Sequence, residues 1–232
     1  MKKNLNQNLI NLIEYYSLVN ANLILSNKPL KRTSSSQNMS FSGSKSEKLE
    51  KLKNSIKTIK NCELKKNAKN LVFGDGNINS NIMLIGEGPG ANEDAEGKPF
   101  VGRAGKLLNK MLEAIQLDRK KVYISNVVNY RPPNNRKPTE EEIERYLPYL
   151  KTHIEIINPK IILLLGSTAL NALIGNEVVI SKARGKWIQK QIGTITPWII
   201  ASFHPAFLMR QPEQKKLAWI DLKMIRDKLK NL

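Results

Sequence analysis

Residues 86–105 read GEGPGANEDAEGKPFVGRAG, placing six glycines, three glutamates and one aspartate in a chain of formal charge +18. Glycines allow a sharp turn and close backbone approach to a ligand. Carboxylates repel phosphate, so Glu87 and Glu93 suit a developing positive charge or the orientation of a water. The plainer reading is solvated loop acids. The stretch lacks the Lys-Ser/Thr ending of a P-loop and the spacing of a dinucleotide fingerprint. A second segment, SNVVNYRPPNNRKPT (125–139), carries Asn126, whose amide offers both a donor and an acceptor and so suits the edge of a base. A capped strand end is its alternative. Pro132, Pro133, Asn134, Asn135 and Arg136 make a stiff, polar, basic turn. The third segment is ASFHPAFLMRQP (201–212). His204 precedes a proline that fixes the backbone, and an imidazole there can transfer a proton or stabilise an oxyanion. The FLMR that follows is apolar and ends in a cation, as a wedge into stacked bases requires. The competing reading packs AFLM into the core. The other histidine, His153, falls in a helical pattern and reads as structural.

These segments need a scaffold that brings them together. Four apolar runs read as buried parallel strands: 81–86, 122–128, 160–166 and 197–203. Amphipathic stretches lie between them. Leu107, Leu108, Met111, Leu112 and Ile115 form one stripe. Thr139 with Glu142 forms a capping box, which opens a helix lined by Ile143, Leu147, Leu150, Ile154 and Ile157, with Pro148 inside it. A last helix occupies about 212–230. Upstream, Leu49, Leu52, Ile56 and Ile59 share one face of a short helix. Alternating strands and helices predict an α/β fold with a central parallel sheet covered on both faces. Ligands in such folds bind at the carboxyl ends of the strands, which selects the loops after 86, 126, 166 and 203.

Composition bounds the rest. The 38 basic and 20 acidic side chains favour a polyanionic partner, nucleic acid first and an anionic membrane surface second; coding bias toward lysine explains the excess equally well. Residues 1–70 carry +10 of the +18. The organisation expected is a helical segment over 1–26, a disordered Ser-rich basic linker over 27–47, and one domain over 48–232. A single cysteine, Cys62, fits a reducing cytoplasm. No signal peptide or membrane-spanning run is expected.

Taken together, GEGPGANEDAEGKPFVGRAG, VYISNVVNYRPPNNRKPT, ARGKW (183–187) and SFHPAFLMR resemble, in that order, the type 4 uracil-DNA glycosylases, from about Cys62 to the C-terminus. The resemblance implies a three-layer α/β/α sandwich around a mainly parallel four-stranded sheet. It implies a monofunctional enzyme that flips uracil from single- or double-stranded DNA and hydrolyses its glycosidic bond. Glu87 and Glu93 would then lie near the sugar and the attacking water, with Gly88 at the base. Phe100 would stack on uracil, Asn126 would bond its edge and reject cytosine, and His204 would bond its O2. Arg131, Pro132, Pro133, Arg136, Arg184, Leu208, Met209 and Arg210 would contact DNA, the last three from the wedge. The other readings are a weakly catalytic binding homologue and a glycosylase of altered base preference. A monomer is expected.

One departure matters. Most members hold a [4Fe-4S] cluster through four cysteines, whose positions here read Ile59, Cys62, Tyr130 and Tyr146. Isoleucine and phenol are not usual substitutes for thiolate, so the expectation is no cluster and an apolar plug around Cys62. Residues 1–60 match no motif and read either as a basic tether for DNA or as drifted sequence.

Overall fold

The computed structural model describes residues 39, 41–175 and 178–232. The expected segment 1–26 and most of the expected linker lie outside the described residues. Within the linker's last part, Ser44 caps a helix, α1 (Lys45–Lys57), by a capping box with Glu47. Met39 and Phe41 pack against the core just before it. Leu49, Leu52 and Ile56 are the buried face of α1. Ile59 lies beyond its end and is partly buried. A short helix, α2 (Glu63–Asn67), leads to the sheet.

Four central strands are parallel: β2 (Ile82–Gly86), β3 (Tyr123–Asn126), β4 (Ile161–Leu165) and β6 (Trp198–Ser202). All four coincide with the apolar runs of the sequence. The sheet has six strands rather than four, in the order β1-β3-β2-β4-β6-β5. The additions are short antiparallel edges, β1 (Asp75–Gly76) and β5 (Trp187–Gln189). Strands of two and three residues carry no periodicity to read.

The central strands are buried on both faces, and successive residues alternate between two apolar layers. Met83, Ile85, Ile162 and Leu164 belong to one layer, with Tyr146, Leu150 and Ile154 of a long helix. Ile82, Leu84, Leu163 and Leu165 belong to the other, with Leu108 and Leu112. Helices α3 (Ala91–Glu96) and α4 (Arg103–Glu113) follow β2, and the long helix is α5 (Glu140–Ile157). Thr139 and Glu142 cap α5 as expected, and Pro148 sits within it without ending it. Then come α6 (Ser167–Leu173), α7 (Ile180–Ala183), α8 (Pro205–Arg210) and α9 (Lys215–Lys230). His153 stacks on Phe73 with ring centroids 4.3 Å apart and shares a 2.9 Å hydrogen bond with the Tyr123 hydroxyl, so it belongs to the core.

Register decides where the loops meet. Gly86 pairs with Asn126, and Leu165 pairs with Ser202. The loops after 86, 126, 166 and 203 therefore leave the sheet side by side.

Candidate active site

A cavity of about 180 Å³ opens at that edge, lined by Glu87, Gly88, Glu93, Phe100, Asn126, Pro132, Arg136 and His204 among others. Residues from three loops of the chain converge on one hollow. Phe100 and His204 both line it, with ring centroids 5.5 Å apart and planes inclined at 30°. Beneath them, Gly86 has no room for a side chain: an added Cβ would stand 2.6 Å from Phe100 Cζ and would also strike Asn126 Oδ1.

Asn126 is buried at the end of β3, and its Oδ1 has no hydrogen-bond partner. An unpaired buried acceptor costs about 1–3 kcal/mol, so its presence here points to a ligand donor. His204 caps α8. The Ala206 backbone N–H donates to His204 Nδ1 at 3.1 Å. Nδ1 therefore carries no proton, and in the neutral ring the proton sits on Nε2. Burial and the nearby Arg210 push His204 down to about 4, against a smaller opposing effect of Glu93. The ring is a neutral donor at physiological pH.

The two glutamates divide their tasks. Glu93 accepts from the backbone N–H groups of Gly90 (3.1 Å), Val101 (3.0 Å) and Gly102 (2.8 Å), which ties the two ends of the glycine loop together. Glu87 accepts one hydrogen bond, from the Thr168 hydroxyl at the start of α6. Asp94, the fully buried acid of this stretch, accepts from the N–H groups of Lys69 and Asn70. Thr168 is a partner that the sequence does not announce. A threonine after a strand has no distinctive signature, and only the parallel pairing of β2 with β4 brings it to Glu87.

Pro133–Asn135 form a 3-10 turn, with Asn134 and Asn135 at φ 55° and 54°, conformations asparagine tolerates. Arg131 is partly exposed and bonds Asn135, while Arg136 forks onto Glu142 at 2.8 and 2.6 Å. Met209 is partly exposed and Arg210 exposed. Leu208 corrects the expectation: it is 1% exposed and packs in the apolar layer of Leu108 and Leu112, because α8 turns it inward. Arg184 corrects it too. Its guanidinium is tied to the buried Asp221 and the Leu217 carbonyl, and Asp221 also accepts from Ser202. Its guanidinium is committed to a partly buried ion pair and is not free for phosphate.

At the four positions that the resemblance sets against cluster cysteines, Cys62, Tyr130 and Tyr146 are buried and Ile59 is partly buried. Cys62 Sγ and the Tyr146 hydroxyl lie 3.2 Å apart in a hydrogen bond, so the centre of this packing is polar rather than a purely apolar plug. Burial raises both tyrosines, which keeps the phenols protonated. One thiol, two neutral phenols and an isoleucine do not fit an iron–sulfur cluster.

Both histidines are held neutral, His153 by burial that takes it down to about 3. An unfolded histidine titrates near 6.5. Between pH 6.5 and 4 the unfolded chain thus binds protons that the folded chain rejects, and stability falls as pH falls. We expect a loss of about 4 kcal/mol between pH 7.5 and pH 5. Urea midpoints across that range measure it, and a flat profile would contradict the neutral assignments.

Fold and site together define an α/β protein with a cavity lined by Asn126, Phe100 and His204 at the carboxyl ends of a mainly parallel sheet. The chain belongs to the uracil DNA glycosylase superfamily, whose family model matches residues 73–223. It is 43% identical over 187 residues to the type-4 uracil-DNA glycosylase of Sulfurisphaera tokodaii, covering 77% of this chain and 84% of that protein. It is 46% identical over 156 residues to the type-4 uracil-DNA glycosylase of Thermotoga maritima, covering 67% and 80%. A type-4 uracil-DNA glycosylase of Pyrobaculum aerophilum is 42% identical over 168 residues, covering 71% and 86%.

Proposed function

We propose that this protein is a monofunctional uracil-DNA glycosylase, hydrolysing the bond between uracil and deoxyribose in base excision repair. The observation that carries the proposal is the unpaired, buried Asn126 Oδ1 in one cavity with Phe100 and His204. Uracil presents an N3–H donor beside an O4 acceptor, which matches Asn126 Oδ1 and Nδ2. Cytosine presents the reverse pattern. A base must leave the helix to reach this slot, at a cost of a few kcal/mol offset by stacking on Phe100 and by the edge hydrogen bonds.

As the glycosidic bond lengthens, positive charge grows on the sugar and negative charge on uracil. His204 Nε2–H donates to O2 of the leaving base. Glu87, oriented by Thr168, is the carboxylate for the sugar and the attacking water. Glu93 shapes the loop, since three backbone N–H groups already occupy it. Met209 and Arg210 fill the gap left by the flipped nucleotide, and Arg131 and the basic excess meet phosphate. The protein acts as a monomer in the cytoplasm on single- or double-stranded DNA. Among the described residues no helix is long and apolar enough to cross a membrane.

The enzyme works without an iron–sulfur cluster, a reading supported by the side chains that stand around Cys62. Protein purified without oxygen is expected to contain no stoichiometric iron or sulfide; finding both would contradict it. Activity is tested with single-uracil oligonucleotides, single-stranded and duplex. The expected result is a strand break at uracil only after alkali. Binding without release of the base would favour a non-catalytic homologue, and release of hypoxanthine or mismatched thymine instead of uracil would favour altered specificity.

A further inference from the structure

The ring of Phe100 lines the cavity, but its backbone is held from outside. Phe100 has φ 54°, a left-handed conformation that a bulky aromatic residue adopts only under constraint. Gly105 of α4 lies so close beneath that any side chain there would collide with the Phe100 carbonyl. On one side Glu93 draws in the N–H groups of Val101 and Gly102. On the other stands Arg119, in the loop between α4 and β3. Its Nη1 donates to the Phe100 carbonyl at 3.0 Å, and its Nη2 donates to the Pro99 carbonyl at 2.7 Å. Its Nε and Nη2 also reach Asp75 Oδ2 at 2.9 and 2.7 Å. Asp75 is fixed in turn by its place on β1, opposite Ile124.

We propose that Arg119 and Asp75 form a clamp that sets the plane of the Phe100 ring, and so act as positioning residues for uracil although neither lines the cavity. The inference rests on the reading that Phe100 stacks on uracil. Two features favour positioning over bulk stability. The pair is partly exposed, with side chains 24% and 31% accessible, and such pairs contribute little to stability. The guanidinium also spends two of its nitrogens on consecutive carbonyls of the one strained segment. Only a planar fork spans two carbonyls and a carboxylate together; a lysine ammonium matches the charge but not the geometry. This also gives the two-residue edge strand a purpose, since β1 carries the acid that orients the fork.

The test is a double-mutant cycle on excision from a uracil-containing duplex. Arg119→Gln, Arg119→Lys and Asp75→Asn are each made alone and in a Phe100→Ala background, with urea midpoints measured for all. Arg119→Gln is expected to lower kcat/KM by about tenfold to hundredfold and to weaken inhibition by free uracil, with Arg119→Lys still impaired. In the Phe100→Ala background the same substitution should cost about twofold or less, because the ring it positions is gone. Equal losses in both backgrounds, or unchanged inhibition by uracil, would overturn the clamp while leaving the role of Phe100 intact. A Phe100→Ala enzyme as active as wild type would overturn the stacking reading and the clamp together.

Discussion

His204→Ala is expected to lower kcat on uracil-containing DNA by about 10²–10³-fold, the usual cost of losing one donor to a developing anion. The Ala206 N–H occupies Nδ1, so the proton of the neutral ring sits on Nε2 of a ring that lines the cavity. Burial and Arg210 keep the ring neutral down to about pH 4. On the proposed function, such a ring would stabilise the leaving uracil by a hydrogen bond rather than by handing over a proton. Its contribution to the rate should be constant from pH 8 to pH 5. A rate that fell with rising pH between 6 and 8, and lost that dependence in His204→Ala, would show an imidazolium acid instead.

Asn126→Ala is expected to lower kcat/KM for uracil by about 10³-fold, because a buried site built to bond a polar edge loses that edge. Stability should move the other way or not at all. In the free enzyme the Asn126 Oδ1 is buried and unpaired, so its removal relieves a penalty. Steady-state kinetics and urea denaturation on the same variant check both halves. An Asn126→Ala enzyme that lost activity only in proportion to lost folded protein would make Asn126 a structural cap.

Much of this site was legible because its residues sit where strands end. The four central strands are continuous aliphatic runs, and the Thr139–Glu142 box announces α5. Asn126 closes β3 and His204 stands just beyond the run 197–203, so the parallel topology alone predicts that they converge. Other features depend on partners far along the chain. Arg184 reads as a free cation until α9 brings Asp221 to it, 37 residues later. Leu208 and Met209 are equally apolar, and only the turn of α8 buries the first and leaves the second partly exposed. Glu87 and Glu93 are alike in sequence; their hydrogen bonds separate them. Thr168 and Arg119 gain their roles entirely from tertiary contacts.

The most direct test of an everted uracil in this cavity uses a duplex with one 2′-fluoro-2′-deoxyuridine. The fluorine withdraws electrons from the sugar and suppresses cleavage, so the bound state persists. On titration into ¹⁵N-labelled protein, the Asn126 side-chain amide and the His204 Nε2 resonance should shift together along one saturation curve. The same duplex carrying cytosine should leave both unmoved. If the uracil duplex bound with neither resonance shifting, the base would not be entering the cavity lined by Phe100, Asn126 and His204, and the account would be wrong.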